Sequence, residues 1–148
     1  MTKPGFHAPD GASVPIAPIS GPDDAERVLR AFLPQDREGF AILMLDARSR
    51  CFAAQVVSVG SLTVSIVHPR EVFKTAILAN AHALILGHNH PSGCLEPSAE
   101  DLDITQRVVS AGKVLGIPVV DHVIVTPASG AHSLRGDARH APDCGWTP

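Results

Sequence analysis

The chain has no tyrosine, a single tryptophan, no Cys-x-x-Cys pair and no excess of positive charge. Each absence removes a class of protein. The three cysteines, Cys51, Cys94 and Cys144, are an odd number without secretory context, so a disulfide framework is excluded and free thiols in a reducing cytoplasm are expected. Twelve Lys and Arg against fifteen Asp and Glu give a net charge of −3, which is not the footprint of a polyanion-binding module. No apolar run approaches the roughly 18 residues of a membrane span, and the N-terminus carries no charged-then-apolar signal pattern. No internal repeat is present. What remains is a chain of 148 residues, 45% apolar and 18% charged, with room for one domain and one sizeable core. Thirteen prolines and eight histidines are the unusual abundances.

The prolines mark the organisation. Five of the thirteen lie in the first 22 residues among Gly and Ser, so residues 1–21 are expected to be a flexible leader. Residues 137–148 are expected to be a flexible tail, leaving a folded body over 22–136. Within it, Pro22, Asp23, Asp24 and Ala25 open a helix, and Val28, Leu29 and Phe32 form its apolar face before Pro34 ends it. Residues 40–45 are a nearly unbroken apolar run, short enough for a central strand, and turn at 46–50 into a second strand over 51–59. A further strand is expected at 63–67. Pro69 starts a second helix, residues 83–86 read as another buried strand, and Ser98 begins a long helix to about residue 115. Strands at 117–125 and 131–135 complete an α/β layered domain with a mixed sheet.

Chemistry concentrates between His88 and Asp101. His88 and His90 are two apart at the end of a buried strand, where i and i+2 point to one side and two imidazoles can reach one ion. Gly87, Pro91 and Gly93 force a turn that brings back Ser98 and Asp101, three apart in the first turn of a helix. Two imidazoles, a carboxylate and an open fourth position match hydrolytic zinc sites, with Fe²⁺, Co²⁺ and Mn²⁺ also compatible with mixed N/O donors. Taken singly, His-x-His describes many loop histidines, and Ser98-x-x-Asp101 is an ordinary helix capping box. Their conjunction around a Gly/Pro loop is hard to explain as packing.

The string Gly87-His88-Asn89-His90-Pro91-Ser92-Gly93, followed by Pro97-Ser98-Ala99-Glu100-Asp101, resembles the JAMM (MPN+) metalloprotease motif and, more narrowly, the bacterial RadC-like JAB family. The likeness extends to residues 68–72 and 115–122 and covers about 23–136. That resemblance implies an MPN/JAB-like α-β-α layered domain with a mixed, curved central β-sheet. It also implies a glutamate before an apolar strand, and Glu38-Gly39-Phe40-Ala41-Ile42-Leu43 fits that form. By resemblance, His88, His90 and Asp101 hold one Zn²⁺, Glu38 is the general base and Ser98 stabilises an oxyanion. The implied activity is metallopeptidase-type hydrolysis of a peptide or isopeptide bond in a peptide or protein substrate.

Other residues carry weaker signals. Asp121 and His122 could support a metal-bound histidine from behind or simply hydrogen-bond within a strand. Cys94, in the loop between ligands, reads as a redox-sensitive thiol, an adventitious ligand or loop filler. His68 sits at a helix entrance. The rival function is a DNA-repair-associated or protein-interaction module with a metal site and no physiological peptidase activity. RadC-like proteins carry a DNA-repair label, and full-length members have an upstream helical region that this chain, with its short Pro-rich leader, is expected to lack. The net charge of −3 speaks against DNA binding by the isolated chain.

Overall fold

A computed structural model describes residues 16–60, 67–128 and 130–146. Helix α1 (Pro22–Phe32) begins with proline at its first position and Asp23 and Asp24 in its first turn, favourable to the helix dipole. Its buried residues, Ala25, Leu29 and Phe32, follow the i, i+4, i+7 stripe, and the extended Leu33 before Pro34 stops it. Strand β2 (Gly39–Leu45) is buried at every position. It turns at Asp46, whose carboxylate accepts from the N–H groups of Arg48 and Arg50 at 2.9 and 3.0 Å, into strand β3 (Arg50–Val59). Helix α2 (Pro69–Leu78) is capped by His68, whose Nδ1 accepts from the N–H of Arg70 at 3.1 Å. His68 therefore has a structural task. The strand expected at 63–67 lies, apart from Val67, outside the described residues.

Strand β4 (Ala83–Asn89) leads by a loop into helix α3 (Ala99–Leu115), and α3 crosses over to strand β5 (Val119–Val125) and the short β6 (Ala131–Ser133). A helical crossover makes its two strands parallel, and β4 and β5 are the parallel pair. All other pairings are antiparallel. With β1 (Ala17–Pro18), the mixed, curved sheet has the order β1-β3-β2-β4-β5-β6. Alternation along β2 divides the core. Phe40, Ile42 and Met44 pack with residues of α2 and α3, while Ala41, Leu43 and Leu45 pack with residues of α1. The result is an α-β-α sandwich with the sheet buried on both faces.

Two expectations at the chain's extremities change. Residues 1–15 of the expected leader lie outside the described residues, but Ala17 and Pro18 pair with Cys51 and Arg50, and Ile19 packs on the α1 face. The expected loose tail is docked through residue 146. Trp146 is 7% exposed and donates its indole N–H to the Val119 carbonyl at 2.9 Å, while Cys144 is fully buried. An apolar ring with a polar handle finds both its needs at the start of β5, and turn-rich residues before it supply no periodicity that could announce this.

Candidate metal centre

Strand β4 carries the histidines to the site by simple alternation. Leu84 and Leu86 lie in the cluster formed with α2 and α3, so His88 and His90 continue along the same face. The ladder with β5 reaches past the strand's last residue: the His90 N–H donates to Val125 O at 2.9 Å. Gly87, on the opposite face, is required by α1. A Cβ there would stand 2.2 Å from a methyl of Leu29. Beyond His90 the chain turns, with the Gly93 N–H donating to the His90 carbonyl at 3.1 Å and Gly93 at φ +89°.

Ser98 and Asp101 then form a reciprocal capping box. The Asp101 N–H donates to Ser98 Oγ at 3.1 Å, and the Ser98 N–H donates to Asp101 Oδ2 at 2.8 Å. The capping and metal readings of this pair are compatible. The cap holds Asp101, 5% exposed, with its carboxylate turned towards the histidines. His90 Nε2 lies 3.1 Å from Oδ2 and His88 Nε2 lies 3.3 Å from Oδ1. The two Nε2 atoms are 2.8 Å apart.

Hydrogen bonds behind the rings assign their protons. Thr105, fully buried on α3, donates its hydroxyl to the Asp101 carbonyl at 2.6 Å. Having spent its one proton, it must accept from His122 Nδ1–H, 2.5 Å away. His122 Nε2 is then an acceptor and takes Nδ1–H of His88 at 2.7 Å. His90 Nδ1 faces the Cys94 carbonyl at 2.7 Å, a group that only accepts. Both neutral imidazoles therefore turn bare Nε2 lone pairs towards each other and towards a carboxylate. Three acceptors at 2.8–3.3 Å repel unless a positive charge sits among them.

A cation fits that need. Ligand atoms of His88, His90 and Asp101 all lie within 4.8 Å of one another, and theirs is the one such group among the described residues. Zinc with N and O donors at about 2.0–2.2 Å separates tetrahedral ligand atoms by about 3.3–3.5 Å. The histidine–carboxylate spacings already approach this, and the two nitrogens need to part by about 0.5 Å. Without a metal ion, a proton serves. The hydrogen bond to Asp101 raises the His90 pKa against the effect of burial, helped by the Cys94 carbonyl and the charges of Asp101 and Glu38. Burial pushes Asp101 up, but in this protonated, metal-free cluster His88 and His90, together with the Ser98 N–H, outweigh it and hold the carboxyl well below its usual range. His122 is driven strongly the other way, first by burial and then by the charge of His88, and stays neutral. Phe40 closes one wall, its ring centroid 6.3 Å from that of His88 and 5.5 Å from that of His122.

The remaining candidates separate. Glu38, half-buried just before β2, lies outside the three-residue ligand group, yet its charge is felt at His90. Asp121 is not at the centre. Its carboxylate accepts from Ser133 Oγ at 2.6 Å and from the N–H groups of His122 and Arg135 at 2.7 and 3.1 Å. It orders the β5–β6 hairpin, so Asp121 and His122 divide between two faces of a strand. The thiol of Cys94 is exposed, and the link to His90 runs through its backbone carbonyl. Two contributing residues escaped the sequence reading, Thr105 and Asn89. Thr105 sits four residues after Asp101, a polar interruption in an apolar helical stripe, and that spacing was the available signal. Asn89 stands between the two histidines with no local spacing that marks it.

A family model described as the RadC-like JAB domain matches residues 19–139. A UPF0758 protein of Rubrobacter xylanophilus is 50% identical over 108 residues, 72% of this chain and 48% of the relative. One of Syntrophomonas wolfei subsp. wolfei is 46% identical over 112 residues, again 72% and 48%. The UPF0758 protein STH371 of Symbiobacterium thermophilum is 56% identical over 88 residues, 60% of this chain and 38% of the relative. The chain thus spans about half the length of the curated relatives it matches.

Proposed function

The chain belongs to the RadC-like JAB domain family, and on that premise we propose that it is a zinc-dependent hydrolase of a peptide or isopeptide bond. The observation that carries this reading is the convergence of two imidazole lone pairs and a carboxylate at 2.8–3.3 Å with their proton-bearing nitrogens turned away. His88, His90 and Asp101 would hold the ion. When bound, zinc supplies Lewis acidity that lowers the pKa of a water from about 15.7 towards roughly 7.

The chain's own residues carry the proton and orient the reaction. Glu38 accepts a proton from the attacking water and returns it to the nitrogen of the leaving amine as the C–N bond breaks. Ser98 Oγ accepts only the Asp101 N–H, so its own O–H is left to donate to the carbonyl oxygen as charge develops there. Asp101 would stay ionised beside the ion, and its Oδ2 accepts from the Ser98 N–H at 2.8 Å. Phe40 and the buried rings exclude bulk water from one side, which strengthens each of these interactions. Calorimetric zinc titration of the metal-free chain tests the ligand assignment. One ion per chain is expected, with binding abolished in His88→Ala and Asp101→Asn and retained in Glu38→Gln. Full zinc binding by His88→Ala contradicts it.

A further inference from the structure

We infer that Asn89, the residue between the two histidines, positions Glu38, so that β4 sets the metal ligands with one face and the general base with the other. This rests on the hydrolase reading for Glu38's role, though the geometry stands without it. Alternation places the Asn89 side chain on the α1 face of the sheet, where it is 5% exposed. Its amide meets only the segment that joins α1 to β2. Oδ1 accepts from the Gly39 N–H at 2.7 Å, while Nδ2 donates to the carbonyls of Pro34 at 2.6 Å and Arg37 at 2.8 Å.

The contacts at Arg37 and Gly39 bracket Glu38. One side chain therefore holds the peptide units on both sides of that residue, while the Glu38 carbonyl accepts from the Gly60 N–H at 2.7 Å. The Gly39 N–H is used by Asn89, so the start of β2 is held by this amide as well as by its pairing with β3. The chemistry is specific to a carboxamide. Two donors and an acceptor are needed at opposite ends of one short side chain, whereas Asp supplies acceptors only and Ser a single donor. His88 and His90 do not depend on it, since the β5 ladder, His122 and the Cys94 carbonyl hold them.

The test uses Asn89→Ala and Asn89→Asp in the full chain, with three readouts. In metal-free protein, exchange of the Gly39 amide should accelerate at least about tenfold in Asn89→Ala, with the β4 and β5 amides unchanged. In Asn89→Asp, which keeps the acceptor for Gly39 but sets a carboxylate against two carbonyls, Gly39 should stay protected while turnover falls. Zinc affinity should stay within about threefold of wild type in both. Turnover should fall about 10- to 100-fold in kcat with KM unchanged, the cost of a misplaced base. Unchanged exchange at Gly39 in Asn89→Ala, or zinc affinity falling in step with kcat, overturns the inference. A wild-type chain that binds no zinc and cleaves nothing instead removes the hydrolase reading, while the exchange comparison still decides whether Asn89 orders the Glu38 segment.

Discussion

Thr105→Val isolates the proton ordering behind His88. Valine keeps the shape and burial of threonine and removes one oxygen, which in the native protein donates at 2.6 Å to the Asp101 carbonyl and accepts at 2.5 Å from His122. The carbonyl keeps its helical N–H partner, so the helix loses little. His122, fully buried, is left with two choices. Keeping Nδ1–H orphans a buried donor at a cost of about 1–3 kcal/mol. Switching its proton to Nε2 satisfies that proton on His88 Nδ1, but then His88 must carry its own proton on Nε2, the atom that would hold the metal. Only the first choice leaves His88 in the zinc-competent tautomer, so zinc binding must carry the cost of the orphaned donor, and zinc affinity should fall about 10- to 100-fold, equivalent to about 1.4–2.8 kcal/mol. Competition with a chromophoric chelator measures the affinity, and two-bond ¹⁵N–¹H correlations on the metal-free protein report the tautomers directly. Thr105→Ser, which restores the oxygen, should bind zinc like wild type. Unchanged affinity in Thr105→Val, with His88 still protonated at Nδ1, would refute the reasoning.

Gly87→Ala should lower the melting temperature by about 4–12 °C, because a methyl placed 2.2 Å from Leu29 overpacks the α1 face by about 1–3 kcal/mol. Leu29→Val in the same chain should recover part of the loss, and a wild-type melting temperature for Gly87→Ala would count against the packing. Metal-free stability should be highest near pH 6.5 in denaturant titrations. Below it, unfolded His122 binds a proton that the buried ring cannot, at up to about 1.4 kcal/mol per pH unit; above it, the stability from the raised His90 pKa is lost as that group deprotonates. A pH-independent plateau from 5 to 8 would contradict both shifts. Cys94→Ser should leave zinc affinity unchanged in the same chelator competition, since a backbone carbonyl makes the contact to His90; a tenfold loss would assign the thiol a role.

The parts of this protein legible in its sequence are those governed by short periods. Alternation through Leu84, Leu86, His88 and His90 places two imidazoles on one face, and Pro22, Pro69 and Ser98 mark three helix starts. The cluster of His88, His90 and Asp101 is legible for the same reason, because each spacing is local. Thr105 and Asn89 were missed because their value lies in long-range partners, His122 on β5 for one and the 34–39 segment for the other. Asp121 and His122 were read together since they adjoin, yet strand alternation sends them apart. Trp146 carried no periodic signal, and its place against Val119 is set by the shape of the core.

The most direct measurement is turnover of a peptide library by zinc-loaded wild type and Glu38→Gln, with metal content measured on the same samples. Expected are equal zinc content, one ion per chain, with cleavage by wild type and none above background by Glu38→Gln. Cleavage by Glu38→Gln at the wild-type rate would contradict the assignment of the general base, and with it the hydrolytic reading of this centre.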